Sequence, residues 1–266
     1  MSTATIAGPA TTTERVRVLR RLVGIELFKL RTTPGAYVAL AIVAVLTVVS
    51  VISGVELAGH KGTAPLGTVD NVNKTLAVSG LTSLVMLVMG ILVAAGEFRH
   101  RTIVATYLAE PRRGRVLVAQ LTTIGGLGLI VGAVTFGVAY AIAVPMFAAK
   151  GVHHLGVDVP RLWVACALAS ACFGLLGVAL GALARNTVAA IVGGVLWVQG
   201  LEVGILQPAI PELDKWLPTG AGIALTSTGT DAAHLLAPGP AALVLVGWAT
   251  LLSLVAVRFT LQREVR

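Results

Sequence analysis

Residues 76–102 read LAVSGLTSLVMLVMGILVAAGEFRHRT: twenty-one residues without a charge, then Glu97, Arg99, His100 and Arg101 in quick succession. About 20 apolar residues in a helix, at 1.5 Å each, cover the ~30 Å hydrocarbon core of a bilayer. Five more runs of this kind follow or precede it, at 36–54, 121–144, 162–183, 187–206 and 240–257. The composition points the same way. The chain is 56% hydrophobic and 12% charged with a mean hydropathy of +0.89, against about 45–50% apolar and ~25% charged residues in soluble domains. The expected fold is therefore an all-α membrane protein with six transmembrane helices. Residues 1–266 form one transmembrane domain, with no room for a sizeable soluble one.

Six spans put both termini on the same side, and the basic residues choose the side. Fifteen Lys and Arg fall on the N-terminus, the loop 96–120, the turn 184–186 and the C-terminus; five fall on the other three loops. That asymmetry predicts cytoplasmic termini and a cytoplasmic 96–115 segment. It also accounts for the net charge of +8 without nucleic acid as a partner. Residues 1–13 and the Arg-bearing stretch after them lack the short apolar core and small-residue cleavage site of a secretory signal. Cys166 and Cys172, six apart in one apolar run, point about 240° apart on a helix and suit packing better than a disulfide.

Outside the spans, RVRVLRRLVGIELFKLR (15–31) has helical periodicity. Val16, Val18, Leu19, Leu22, Val23, Ile25, Leu27 and Leu30 fill about half the wheel, and Arg17, Arg20, Arg21 and Arg31 much of the rest. This is the pattern of a helix lying in the inner interface against lipid headgroups. Glu26 and Lys29 fall near its apolar half at a pairing distance of three residues. Residues 207–239 are too apolar for a plain loop and too interrupted to span, which predicts short helices dipping into the outer leaflet. No internal repeat is visible.

Catalytic chemistry is scarce. GVELAGHKGT (54–63) fails as a phosphate-binding loop, because no Lys-Ser/Thr pair closes it. His153, His154 and Asp158 read as a solvated loop rather than a metal site, since adjacent histidines point apart. Glu202, in WVQGLEVGIL (197–206), is the one carboxylate inside a span, with Gln199 beside it. Such residues are costly in lipid and mark candidate substrate or proton pathways. Its position, four residues from the predicted outer end of the span, puts it within reach of water. Trp163, Trp216 and Trp248 read as interfacial anchors. Gly128-x-x-x-Gly132 and Gly177-x-x-x-Gly181 fit close helix approach or dimerisation.

The segment 96–115, GEFRHRTIVATYLAEPRRGR, holds five Arg, one His and two Glu. Topology explains its charge but not its order: a charged start, two apolar helical turns over IVATYLA, Glu110-Pro111 as a stop, then Arg112, Arg113 and Arg115. A short amphipathic helix bracketed by charge suits docking into a partner's groove. EFRHRTIVATYLAEPRRGRVLVA (97–119) resembles the cytoplasmic loop of ABC-2 type permeases, particularly bacterial antibiotic exporters. Glu97, Arg99, Thr102, Ile103, Leu108, Pro111 and Arg115 follow the family pattern; Arg101 and Gln120 depart from it, where Gly and Lys are usual. ELFKLRTT (26–33), LPTGAGIAL (217–225) and the six-span layout extend the likeness over the whole chain.

The resemblance implies a permease of a bacterial plasma membrane without its own nucleotide site, paired with a second permease subunit. ATP and Mg would be bound by a separate ABC ATPase subunit. Glu97 and Arg99 would anchor the loop, and residues 103–111 would form the coupling helix. Tyr107, Arg113, Glu26 and Lys29 complete the expected contacts with the ATPase. Glu202 and Gln199 remain candidates for the substrate pathway of a hydrophobic or amphipathic cargo. The rival reading is a stand-alone secondary transporter or channel in which Glu202 is the coupling residue.

Overall fold

The structure is a computed structural model that describes residues 12–60, 64–76, 78–99, 113–227 and 235–262. Every element among them is helical. Helix α1 covers Thr12–Thr32, α2 Pro34–Glu56, α3 Val69–Leu76 and α4 Ser79–Arg99. Next come α5 at Arg113–Ala149, α6 at Val159–Ala184 and α7 at Thr187–Val195, the last continuing as a π-helix over Leu196–Leu206. Three short helices, α8 Gln207–Ala209, α9 Pro211–Asp214 and α10 Pro218–Thr226, precede α11 at Pro238–Gln262. Six stretches are long and apolar enough to cross a membrane. Each overlaps one run expected from the sequence.

Helix α6 is the axis of the bundle and packs along α4, α5 and α11. In lipid there is no water to drive burial between helices, so close packing must hold them together, and small residues permit it. A Cβ on Gly177 would sit 2.0 Å from the backbone oxygen of Leu87, and one on Gly128 2.6 Å from the Cα of Ala171. Both small-residue motifs are therefore spent on contacts inside the chain. Cys166 and Cys172 are not joined in a disulfide and are buried in the same interfaces. Local signals bound this axis. Asp158 caps α6 by accepting the Arg161 N–H at 3.1 Å. Arg185, at φ 53°, ends it with a left-handed residue. Asn186 then caps α7 through the N–H groups of Val188 and Ala189 at 3.0 and 3.1 Å.

Several helices overrun the expected boundaries. Helix α5 has 37 residues, about 55 Å of rise, against the 24 residues expected at 121–144. It begins within the predicted loop and ends within the next one. The polar segment 55–75 likewise contains α3, which Asn71 ties to α2 by donating from Nδ2 to the Gly54 carbonyl at 3.0 Å. The bundle has two distinct ends. At one, Lys150 pairs with Glu56 at 2.9 Å, and Arg161 Nη2 donates to the Ser227 carbonyl at 2.8 Å. At the other, Gly114 near the start of α5 faces Leu261 near the end of α11. Large apolar side chains such as Ile130, Val164 and Leu243 stay exposed along the spans, as a lipid-facing surface requires.

Candidate functional site

The span that starts at Thr187 changes its winding at Leu196. A π-helix bonds each N–H five residues back, so residues i and i+5 come round to one face. On an α-helix they would stand about 140° apart. Across LWVQGLEVGIL the wider turn brings Trp197 onto Glu202, and the indole Nε1–H donates to Oε1. The second oxygen, Oε2, accepts the Thr219 N–H at 2.7 Å. Thr219 lies in the first turn of α10, where backbone N–H groups have no partner within the helix and the dipole favours an anion. Glu202 thus pins α10 to the π-helix. A hydrogen bond to a charged group is worth about 1.5–3 kcal/mol. Both oxygens thus act as acceptors, the role an ionised carboxylate fills.

Glu202 is 0% exposed, and this corrects the sequence-based placement within reach of water. The chain folds back after the span, and α10 covers the carboxylate. Its neighbour Asp214, at the end of α9, is also buried. Asp214 Oδ1 has no hydrogen-bond partner, and burial pushes its carboxyl above the usual carboxylate range. A Cβ on Gly220 would lie 2.1 Å from the Asp214 carbonyl oxygen, so only glycine lets the first turn of α10 sit this close. Nearby, Lys215 pairs with Glu212, and Trp248 Nε1 donates to the Trp216 carbonyl at 2.8 Å. These two tryptophans, expected as anchors, join α11 to the segment after α9.

A cavity of about 320 Å³ opens beside this arrangement. Leu81, Ser83 and Leu84 of α4 form one side, and Ala169 and Phe173 of α6 another. Val198 and Gln199 of the π-helix and Thr219, Gly222 and Ile223 of α10 close it. Gln199 is exposed and lines the cavity, so the structure brings both intramembrane candidates to one place. Trp197, Thr219 and Asp214 were not anticipated. A spacing of five residues is neither helical neighbour distance, so nothing in the sequence joined Trp197 to Glu202.

Those of the remaining candidates that the structure describes gather at the opposite end. Glu97 and Arg99 belong to the last turn of α4, and Arg113 opens α5, so the expected 97–115 segment is helical at both its edges. Thr102, Ile103, Tyr107, Leu108 and Pro111 lie outside the described residues. Helix α1 packs along α5, and its Glu26, 4% exposed, accepts from Lys29 Nζ at 2.8 Å. Leu30 shares an apolar cluster with Leu117 of α5, so this pair sits where α5 begins. Arg17, Arg20, Arg21 and Arg31 are exposed, but so are Val16, Ile25 and Leu27 from the expected apolar half. The face that α5 covers is narrower than the apolar half. Comparison of the sequence with protein-family profiles and with curated proteins returns no match.

Proposed function

We propose that this chain is the membrane-spanning subunit of an ATP-binding cassette exporter of the ABC-2 type. One observation carries the reading: the residue order across 97–115, an anchoring Glu-Arg pair, an apolar helical stretch, a Pro stop and a basic return to the bilayer. The two helices that flank this segment, α4 and α5, both pack on the buried axis α6. A push at the segment would therefore reach the centre of the bundle. In this reading a separate ABC ATPase subunit binds ATP and Mg and docks on residues 103–111, with Glu26 and Lys29 beside it. A second permease subunit completes the pore. Helix α1 lies in the inner lipid interface, both termini are cytoplasmic, and 207–239 is re-entrant from the outer side. A hydrophobic or amphipathic cargo moves outward. The test is to co-express the chain with the cassette ATPase of a neighbouring gene and purify through either subunit. Joint purification is expected, and Glu97→Arg or Arg99→Glu should leave ATP hydrolysis running while vesicle transport of an amphiphilic dye collapses. Separate elution of the two chains, or undiminished transport by both reversals, would sink the proposal.

The complete burial of Glu202 favours a second reading, a stand-alone secondary transporter with this carboxylate as its coupling group. Gradient-driven flux in vesicles that contain this chain alone, lost in Glu202→Gln, would favour it over the first.

A further inference from the structure

Gln199 stands exposed within an apolar span and makes no side-chain hydrogen bond among the described residues. A buried or half-buried amide is costly without a partner, so the side chain is available to a partner from outside the chain. It lines the cavity between α4, α6, the π-helix and α10, and that is where such a partner would come from. The volume, about 320 Å³, falls at the lower end of small-molecule sites, roughly 300–1,000 Å³. Its walls have the matching chemistry. Leu84, Phe173 and Ile223 offer apolar surface, while Ser83 and Gln199 supply a few polar groups.

Charge narrows the ligand further. Thr219, also on the wall, gives its N–H to Glu202, and no cationic side chain among the described residues is bonded to that carboxylate. In low-dielectric surroundings a carboxylate one residue behind the wall repels an anion and attracts a cation far more than it would in water. We propose that this cavity binds a small amphiphile with an apolar body and an ammonium group. Gln199 accepts from the ammonium, Glu202 supplies the field, and Phe173, Leu84 and Ile223 hold the body. Two sources share this chemistry: a soluble amine, and a lipid with an ethanolamine headgroup.

The chain alone, in phosphatidylcholine nanodiscs, is titrated with dansylcadaverine, whose fluorescence rises in apolar surroundings. No ATPase is present, so the outcome is independent of the exporter reading. Saturable enhancement beyond that of empty discs is expected. Ile223→Trp, or Leu84→Phe from the facing wall, fills the cavity and should weaken binding by about tenfold or more, with the unfolding temperature unchanged. The carboxylate analogue 6-(dansylamino)hexanoate should bind about tenfold more weakly, and Glu202→Gln should bring the two ligands close to parity. Gln199→Leu should weaken the amine. Discs containing phosphatidylethanolamine separate the sources: competition assigns the site to the lipid headgroup, and its absence to a soluble amine, the site standing in both cases. Unsaturable signal, wild-type binding by both cavity-filling variants, or equal binding of amine and carboxylate overturns the proposal.

Discussion

Glu202 shows how a single carboxylate can be structural and electrostatic at once. It joins an indole on its own span to the first turn of a helix 17 residues away. Removing it leaves two part-buried N–H groups, of Trp197 and Thr219, without their acceptor, a loss of up to about 1–3 kcal/mol each. Glu202→Leu should therefore lower the unfolding temperature in detergent clearly more than Trp197→Phe. The Trp197→Phe/Glu202→Gln double variant should fall short of additivity by about 0.5–3 kcal/mol; additive effects would mean that the two do not interact. Asp214 makes a different prediction, through pH. Its carboxyl is raised by burial, so the folded chain holds this proton more tightly than the unfolded one. Its contribution to stability is then present below the ordinary carboxylate range and is lost as pH rises towards the folded value. Asp214→Asn should match the wild type in acid, near pH ~4, and gain on it as pH rises. Thermal melts across that range check the sign, and a gap that widens towards acid would contradict it.

Among the elements, the closest helix crossings are made at glycines. Gly177 and Gly128 meet backbone atoms of the facing helix, whereas Gly126 and Gly247 meet nothing within 4 Å. Gly177→Leu and Gly128→Leu should each destabilise by about 1–3 kcal/mol through overpacking. Gly126→Ala should be neutral or stabilise by roughly 0.5–1 kcal/mol, the helix propensity gained. Unfolding temperatures of the purified variants compare the two classes directly. Equal effects in both would mean that the close crossings do not bear on stability. The glycine spacings were legible in the sequence, but their partners were not, since a small-residue face serves a neighbour in the same chain or in another copy equally well. Helix lengths were also only partly legible. A bilayer-sized window finds the apolar centre of α5 but not its polar first turns around Arg113 and Arg115, which remain helical because α1 and α11 pack beside them.

The whole molecule is a bundle with polar chemistry at both ends and an apolar middle. One end carries Glu26, Lys29 and the start of α5; the other carries Glu202, Asp214, Gln199 and the cavity. The distribution of basic residues predicts the sidedness, and labelling checks it. Because Cys166 and Cys172 are buried, the wild type should react little with a membrane-impermeant maleimide. With both termini inside, His154→Cys should label on intact cells and Arg258→Cys only after permeabilisation; both positions are exposed. The reverse pattern would invert the topology.

The class of molecule, the number of spans and the regions where basic residues gather were legible from the residues alone. These follow from hydropathy and charge order, which depend on residues a few places apart. That Glu202 is enclosed, that Trp197 and Thr219 hold it and that Gln199 faces a cavity emerge from the folded chain alone. Those facts depend on a π-wound turn and a chain that folds back on its own span. The first arises from a shift of hydrogen-bond partner by one residue, the second from packing between segments 17 residues apart. Neither leaves a periodic trace in the sequence.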